Sequence, residues 1–451
     1  MYNISYFIAY PDFQCFNQEQ QAWVQCSREQ ACNMSKQQWK AILKNGIYNW
    51  IEELDLYCSP KFQISLLGSL FFAGLIISMA FLVPFADVYG RKPFIIFDAI
   101  GSTLVQLGFL IFQDLTIYYI LMFVLGALAA INIGICFAYN IEIVEKKHEV
   151  LVISLNSLGM GLAGLFVPLY FIFIGKTWQP IIYAATLASM ISTLMVFNIK
   201  ESPRFLSAKL KNFEAMQAIT EIARFNNKDL KESQILQEIS DYLTPKLQEK
   251  LPLKEKIHYP NYIRNIIIMA FIWTVSSFNF CLMNFYMSNM QGDINMNNLQ
   301  QSIGLLISYV VSAPIINKLG IKASASLFFF LCCLAAVLYS CVEEKSKMFI
   351  SAIVFIGRFG ICPTYTLAYM CSNALFPPEI QSTSIAICNI VARSINLTAP
   401  FVAVLSDPLP FHAFGILSVF CWIAIMALDL ESKNEKENLT TVPQKDTEIQ
   451  T

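Results

Sequence analysis

The sequence predicts an all-α, polytopic membrane protein built from two six-helix repeats, with its first span reduced to a stub, and three observations predict it. Of 451 residues, 56% are hydrophobic and only 14% charged, and the apolar residues gather into runs near the ~20 residues that carry a helix across a bilayer. Lys and Arg concentrate in every second connection. A turn at Gly90 recurs at Gly320, 230 residues later, at an equivalent place between two apolar runs. The net charge of −1 offers no basic field, so nucleic acid is not an expected partner. Membrane lipid and a small solute are.

Residues 1–9 are apolar but too short to span, and they lack the basic segment of a signal peptide. They read as the outer end of a first span whose beginning is missing. Residues 10–61 form a polar loop with Cys15, Cys26, Cys32 and Cys58 and the sequon Asn33-Met34-Ser35. Four cysteines beside a glycosylation acceptor imply an oxidising outer side and two disulfides. Four reduced thiols are the alternative, and three pairings are open. No zinc site is expected, because the spacings are wrong and the loop holds no histidine. Apolar runs then follow at about 62–85, 94–112, 117–141, 149–174 and 179–198, the N-terminal half (62–198). The C-terminal half (262–430) has runs at about 262–287, 299–317, 323–342, 348–371, 382–404 and 410–430. Between them, 199–261 is polar, rich in Lys and Arg, and patterned for short helices through Phe213, Met216, Ile219, Ile222 and Ala223. The tail 431–451 is polar and reads as disordered. By the positive-inside rule the loops with Arg91 and Lys92, with Lys146 and Lys147, and 199–261 are cytoplasmic, together with the C-terminus. The cysteine loop is then outside, with Lys345 and Lys347 against the trend.

The stretch Asp87-Val88-Tyr89-Gly90-Arg91-Lys92 between two apolar runs resembles the D-x-x-x-G-R-[RK] signature of the major facilitator superfamily. Asn317-Lys318-Leu319-Gly320-Ile321-Lys322 is its weaker echo. Lys200-Glu201-Ser202-Pro203-Arg204-Phe205-Leu206 resembles the P-E-S-P-R-[WY]-L motif of sugar and organic-ion facilitators, and Phe7 to Cys15 resembles the exit from the first span of organic cation and anion transporters. The resemblance runs from Phe7 to about Leu430. It implies the major facilitator fold, a plasma-membrane location, and transport by alternating access, with substrate near the midplane between repeats. A gating set follows: Asp87, Gly90, Arg91, Lys92 and Glu142 at one latch, and Glu201 paired with Arg204 at another, with Ser202 and Pro203 starting a helix. Solvated surface pairs, contributing about 0–1 kcal/mol, are the bland alternative.

Arg393 is the foremost substrate candidate. It lies about 11 residues from either end of its run, or about 16 Å deep, where an arginine needs a watery cavity or a partner. Resemblance to the eleventh span of organic-ion transporters, where an arginine goes with anions, favours anionic substrates. Arg358 in Gly357-Arg358-Phe359-Gly360 is a second deep cation. Structural pairing with a buried acid is the competing role, and Asp98 is the one nearby acid within a span. Phe280 and Asn279 in the seventh run, with Asn132 and Asn156, complete the candidate cavity, although amides also tie helices together. Gly159-Met160-Gly161-Leu162-Ala163-Gly164 fits a dinucleotide pattern but lies within an apolar span with no strand before it, so no cofactor is expected. His148, His258 and His412 are isolated, and no catalytic motif occurs, so an enzyme is not expected. Two other readings stay open: a sugar or other neutral-solute carrier, possibly proton-coupled, using Asn132, Asn140, Asn156 and Asn279, and a non-transporting receptor or subunit.

Overall fold

A computed structural model describes residues 3–19, 21–144, 148–226, 262–341, 346–376 and 378–428. Lys146, Lys147, Lys345, His258, the basic residues from Lys228 to Lys256, and the tail 431–451 therefore lie outside the described residues.

The stub is a single helical turn, α1 (Ile4–Phe7), buried throughout. The cysteine loop is not irregular. It holds a three-stranded antiparallel sheet in the order β2-β1-β3, from β1 (Asp12–Asn17), β2 (Ala22–Cys26) and β3 (Trp39–Ile42). Two short helices, α2 (Arg28–Cys32) and α3 (Trp50–Glu53), begin with capping boxes on Ser27 with Gln30 and Asn49 with Glu52. The disulfides join Cys15 to Cys26 across the hairpin and Cys32 to Cys58 across 26 residues of chain.

The apolar runs become helices. In the N-terminal half these are α4 (Lys61–Tyr89), α5 (Lys92–Ile111), α6 (Leu115–Ile131), α7 (Phe137–Glu142), α8 (Glu149–Phe173) and α9 (Gln179–Val196). A π-helical turn, Asn132–Cys136, joins α6 to α7. Two short helices, α10 (Pro203–Ala208) and α11 (Asn212–Phe225), follow as the spacing predicts. The C-terminal half contains α12 (Tyr262–Tyr286), α13 (Ile294–Cys341), α14 (Lys347–Leu375), α15 (Pro378–Asn396), α16 (Ala399–Ala403) and α17 (Leu409–Met426). Among the described residues eight helices are long and apolar enough to cross a membrane. One of these, α13, is 48 residues long and turns at Gly320 (φ 79°, ψ 171°), so it is two spans. Gly90 adopts nearly the same backbone (φ 103°, ψ 168°) at the matching turn, a region that only glycine occupies without strain. The run 382–404, predicted as one span, breaks between Asn396 and Ala399.

Contacts that join the halves gather toward the face carrying the disulfide loop. Ser5 Oγ meets Asn298 Oδ1 at 2.8 Å, Ser69 Oγ donates to the Leu397 carbonyl at 2.8 Å, and Asn45 reaches Asp293 at 3.0 Å. Phe72 packs against Phe285, and Phe62 against Phe401. At its opposite end, α4 exposes Val88 (58%) and Tyr89 (70%) while Ala86 is buried.

Candidate functional site

At the Gly90 turn, chain geometry gathers the gating set. Arg91 makes a two-point contact with Glu142 (Nε to Oε2 3.2 Å, Nη2 to Oε1 3.1 Å), pairs with Asp87 at 3.0 Å and donates to the Ala86 carbonyl at 2.8 Å. Its guanidinium also lies 4.7 Å from the Phe205 ring centroid. These residues wall a cleft of about 520 Å³ with Arg204 and Lys209. All of them belong to the N-terminal half or to the segment that directly follows it, so the latch braces α4, α5, α7 and α10 against one another.

The expected pairing of Glu201 with Arg204 is replaced by a different arrangement. Glu201 Oε1 accepts the backbone N–H groups of Arg91 (2.9 Å) and Ser202 (2.9 Å), and Oε2 accepts that of Lys92 (3.2 Å). The carboxylate thus caps the start of α5, where free amides and the helix dipole favour an anion. Lys92 contributes its backbone. Arg204 donates from Nη2 to the Val144 carbonyl at 2.9 Å instead. Ser202 does cap α10, accepting from Phe205 N at 3.1 Å with Pro203 in the first turn. Gly90 sits so close to Glu201 that a Cβ there would lie 2.3 Å from Oε2.

Within the C-terminal half, Arg358 of α14 has no measurable exposure. Its Nη1 donates to the Phe280 carbonyl at 3.1 Å, and the guanidinium lies 3.8 Å from the Phe280 ring centroid. Its Nε and Nη2 find no hydrogen-bond acceptor. Arg393 of α15 donates from Nη2 to the Tyr365 hydroxyl at 2.9 Å. Among the described residues neither arginine forms an ion pair. Both lie toward α12, Arg358 against the Phe280 ring and Arg393 through Tyr365, which packs on Trp273. Beside Arg393 stand three rings: Trp273 and Tyr369 at 4.3 Å between centroids, Trp273 and Tyr365 at 5.3 Å, and Tyr365 and Tyr369 at 5.5 Å. The tyrosines were missed as site residues, yet Arg358, Tyr365 and Tyr369 share one helical stripe at spacings of 7 and 4.

The amides divide. Asn279 is fully buried; its Nδ2 is shared by the Phe414 carbonyl and Ser418 Oγ, both at 3.1 Å, tying α12 to α17, while its Oδ1 has no hydrogen-bond partner. Asn132 in the π turn reaches Asp98 Oδ2 at 3.5 Å. Asn156 is exposed on α8. Asp98, the acid that could have neutralised an arginine, instead has Asn132, Ser102 and Cys136 as partners. Asn33 ends α2 on the disulfide loop. Among the described residues no metal-ligand cluster occurs.

Two helical halves joined at one face, with two arginines inside that meet no acid among the described residues, make up a polytopic membrane protein. Residues 45–400 match the Major Facilitator Superfamily, and the chain belongs to that family. It is 24% identical over 384 residues to organic cation/carnitine transporter 2 of Rattus norvegicus, covering 82% of this chain and 67% of that protein. It is 22% identical over 413 residues to an organic cation transporter-like protein of Drosophila melanogaster, covering 87% and 71%. The inward open xylose transporter XylE of E. coli shares the fold, with a TM-score of 0.64 and 14% identity, over 84% of this chain and 90% of that one.

Proposed function

We propose that the protein moves small organic anions across the plasma membrane by alternating access, with Arg358 and Arg393 as the anion-recognising groups. The observation that carries this reading is the lack of an acidic partner for either arginine among the described residues, with two Arg358 nitrogens unsatisfied. A guanidinium in a bilayer interior costs at least ~2.5 kcal/mol on insertion scales, and an anionic solute supplies the missing acceptors. Trp273, Tyr365 and Tyr369 add flat apolar faces for an organic body. Relatives named for organic cations and carnitine support the size class of the solute, while the sign of its charge is read from the arginines. The positive-inside pattern supports the disulfide loop outside and the Gly90 turn inside, so closure at the disulfide face corresponds to an inward-facing state.

The test is uptake into proteoliposomes of labelled benzenesulfonate, tetraethylammonium and glucose, by the parent protein and by Arg393→Ala. Benzenesulfonate uptake that falls at least tenfold in the variant is the expected result. Uptake of the cation or the sugar alone, or anion uptake undiminished in the variant, overturns the reading.

A further inference from the structure

We propose that Asp98 is a proton-binding site, and that its protonation couples anion transport to a pH gradient. The observation is a buried acid in a span with no cation paired to it among the described residues. Asp98, on α5, is 8% exposed. Its carboxyl oxygens have three neutral partners, all at long range: Ser102 Oγ at 3.3 Å, Asn132 Nδ2 at 3.5 Å and Cys136 Sγ at 4.0 Å. A carboxylate meant to stay ionised away from water is given short bonds or a counter-charge, and intramembrane acids of this kind mark ion and proton pathways. The charged and titratable groups around it are few. The π turn presents Cys136. Helix α9 presents hydroxyls to α5, with Ser189 and Thr193 bonded to Thr103. The nearest cations along the chain are Arg91 and Lys92 at the head of α5, about 9–10 Å away along the axis, and Arg91 is engaged by Glu142 and Asp87.

Two of the three partners, Asn132 and Cys136, bound the π turn, Asn132–Cys136, and such turns interrupt α-helices most often at functional sites. Asn132 is exposed while reaching Asp98, so it links the buried carboxyl to the surface of the helix wall. Proton uptake forms one O–H bond on Asp98 from a proton of the aqueous phase, and release returns it to the other aqueous phase. No other bond changes. The neutral carboxyl can donate to the Asn132 amide oxygen, whereas the carboxylate can only accept from its nitrogen, so the two protonation states favour different packings of α5 against the π turn. Carrying one proton with one anion is electroneutral, and each unit of pH gradient then drives accumulation about tenfold.

Proton binding at Asp98 stands on these contacts alone, while the coupling rests on the anion reading above. Two readouts keep them apart. Infrared difference spectra of the full protein in lipid, between about pH 5 and pH 8, should show a protonated-carboxyl stretch that Asp98→Asn abolishes. Benzenesulfonate, which stays ionised throughout, should accumulate about tenfold per unit of inward pH gradient in the parent protein and in Asp98→Glu. In Asp98→Asn it should equilibrate without accumulating, which also shows that this variant is folded. An infrared band unchanged in Asp98→Asn overturns the proton site. Accumulation by Asp98→Asn equal to the parent's overturns the coupling. Failure of every anion to be transported, with the Asp98 band present, overturns the anion reading and the coupling and leaves proton binding standing.

Discussion

Replacing Gly90 with alanine tests how the Gly90 turn is built. At φ 103° and ψ 168°, a residue with a Cβ is strained by about 1–3 kcal/mol. The added carbon would also lie 2.3 Å from Glu201 Oε2, so the carboxylate must withdraw from the amides it caps. Losing one charge-assisted bond costs about 1.5–3 kcal/mol, for a total of about 2.5–6 kcal/mol. Gly320→Ala is the built-in control: it has φ 79° and nothing within 4 Å of the added Cβ, so it bears the strain alone. The assay is unfolding of the purified protein in detergent, followed by intrinsic fluorescence, for both variants, for Glu201→Ala, and for Gly90→Ala combined with Glu201→Ala. Gly90→Ala should destabilise by about 2 kcal/mol more than Gly320→Ala, and that excess should vanish in the Glu201→Ala background, which has neither the clash nor the cap. Equal effects of the two glycine substitutions would refute the cap.

Glu52 in the disulfide loop is pushed from an ordinary 4.5 up to about 7 by burial, against the opposing pull of the Asn49 backbone N–H. The folded loop therefore holds this proton more tightly than the unfolded chain does, so the stabilising contribution is complete below about pH 4.5 and lost as pH rises through about 7. Glu52→Gln, which keeps a capping side chain, should remove that slope and leave the loop more resistant to limited proteolysis than the parent at about pH 8. Peptide mapping under non-reducing conditions should find Cys15 linked to Cys26 and Cys32 to Cys58. Opening the second bridge with Cys32→Ser plus Cys58→Ser should lower unfolding stability by about 3 kcal/mol, from the length of the loop it closes. Asn279→Ala should destabilise by about 2 kcal/mol through its lost bonds to Phe414 and Ser418, yet leave the solute concentration for half-maximal uptake unchanged. A shift in that concentration would return Asn279 to the cavity.

The helices were legible in the sequence because a bilayer demands long apolar runs and admits few charges, and Gly90 and Gly320 were legible because their turns interrupt those runs at matching places. The loop sheet left a fainter trace, the alternation of buried Phe13 and Cys15 with Gln14, within a segment whose cysteines drew attention first. Local pairing misled at Glu201: Arg204 is three residues away, but the amides it caps at Arg91 and Lys92 are about 110 residues back along the chain. Asn279 could not be separated from a cavity amide, because nearly every side of the outer part of α12 is buried and polarity alone does not reveal which neighbour an amide meets. Arg358 and Arg393 stood out in the sequence because charge is costly at depth. The tyrosines beside Arg393 were hidden among 19 tyrosines in an aromatic-rich chain.

Rocking of the two halves about the proposed anion site would change two distances in opposite directions. Spin labels placed at Val88 and Asn317, one from each half at the equivalent turns, and at Lys40 and Met296 near the disulfide face, allow both distances to be measured in lipid nanodiscs. Adding benzenesulfonate should shorten the first distance and lengthen the second in a fraction of molecules, and Arg393→Ala should abolish the response. Distances at both faces that stay fixed whatever solute is added would contradict it.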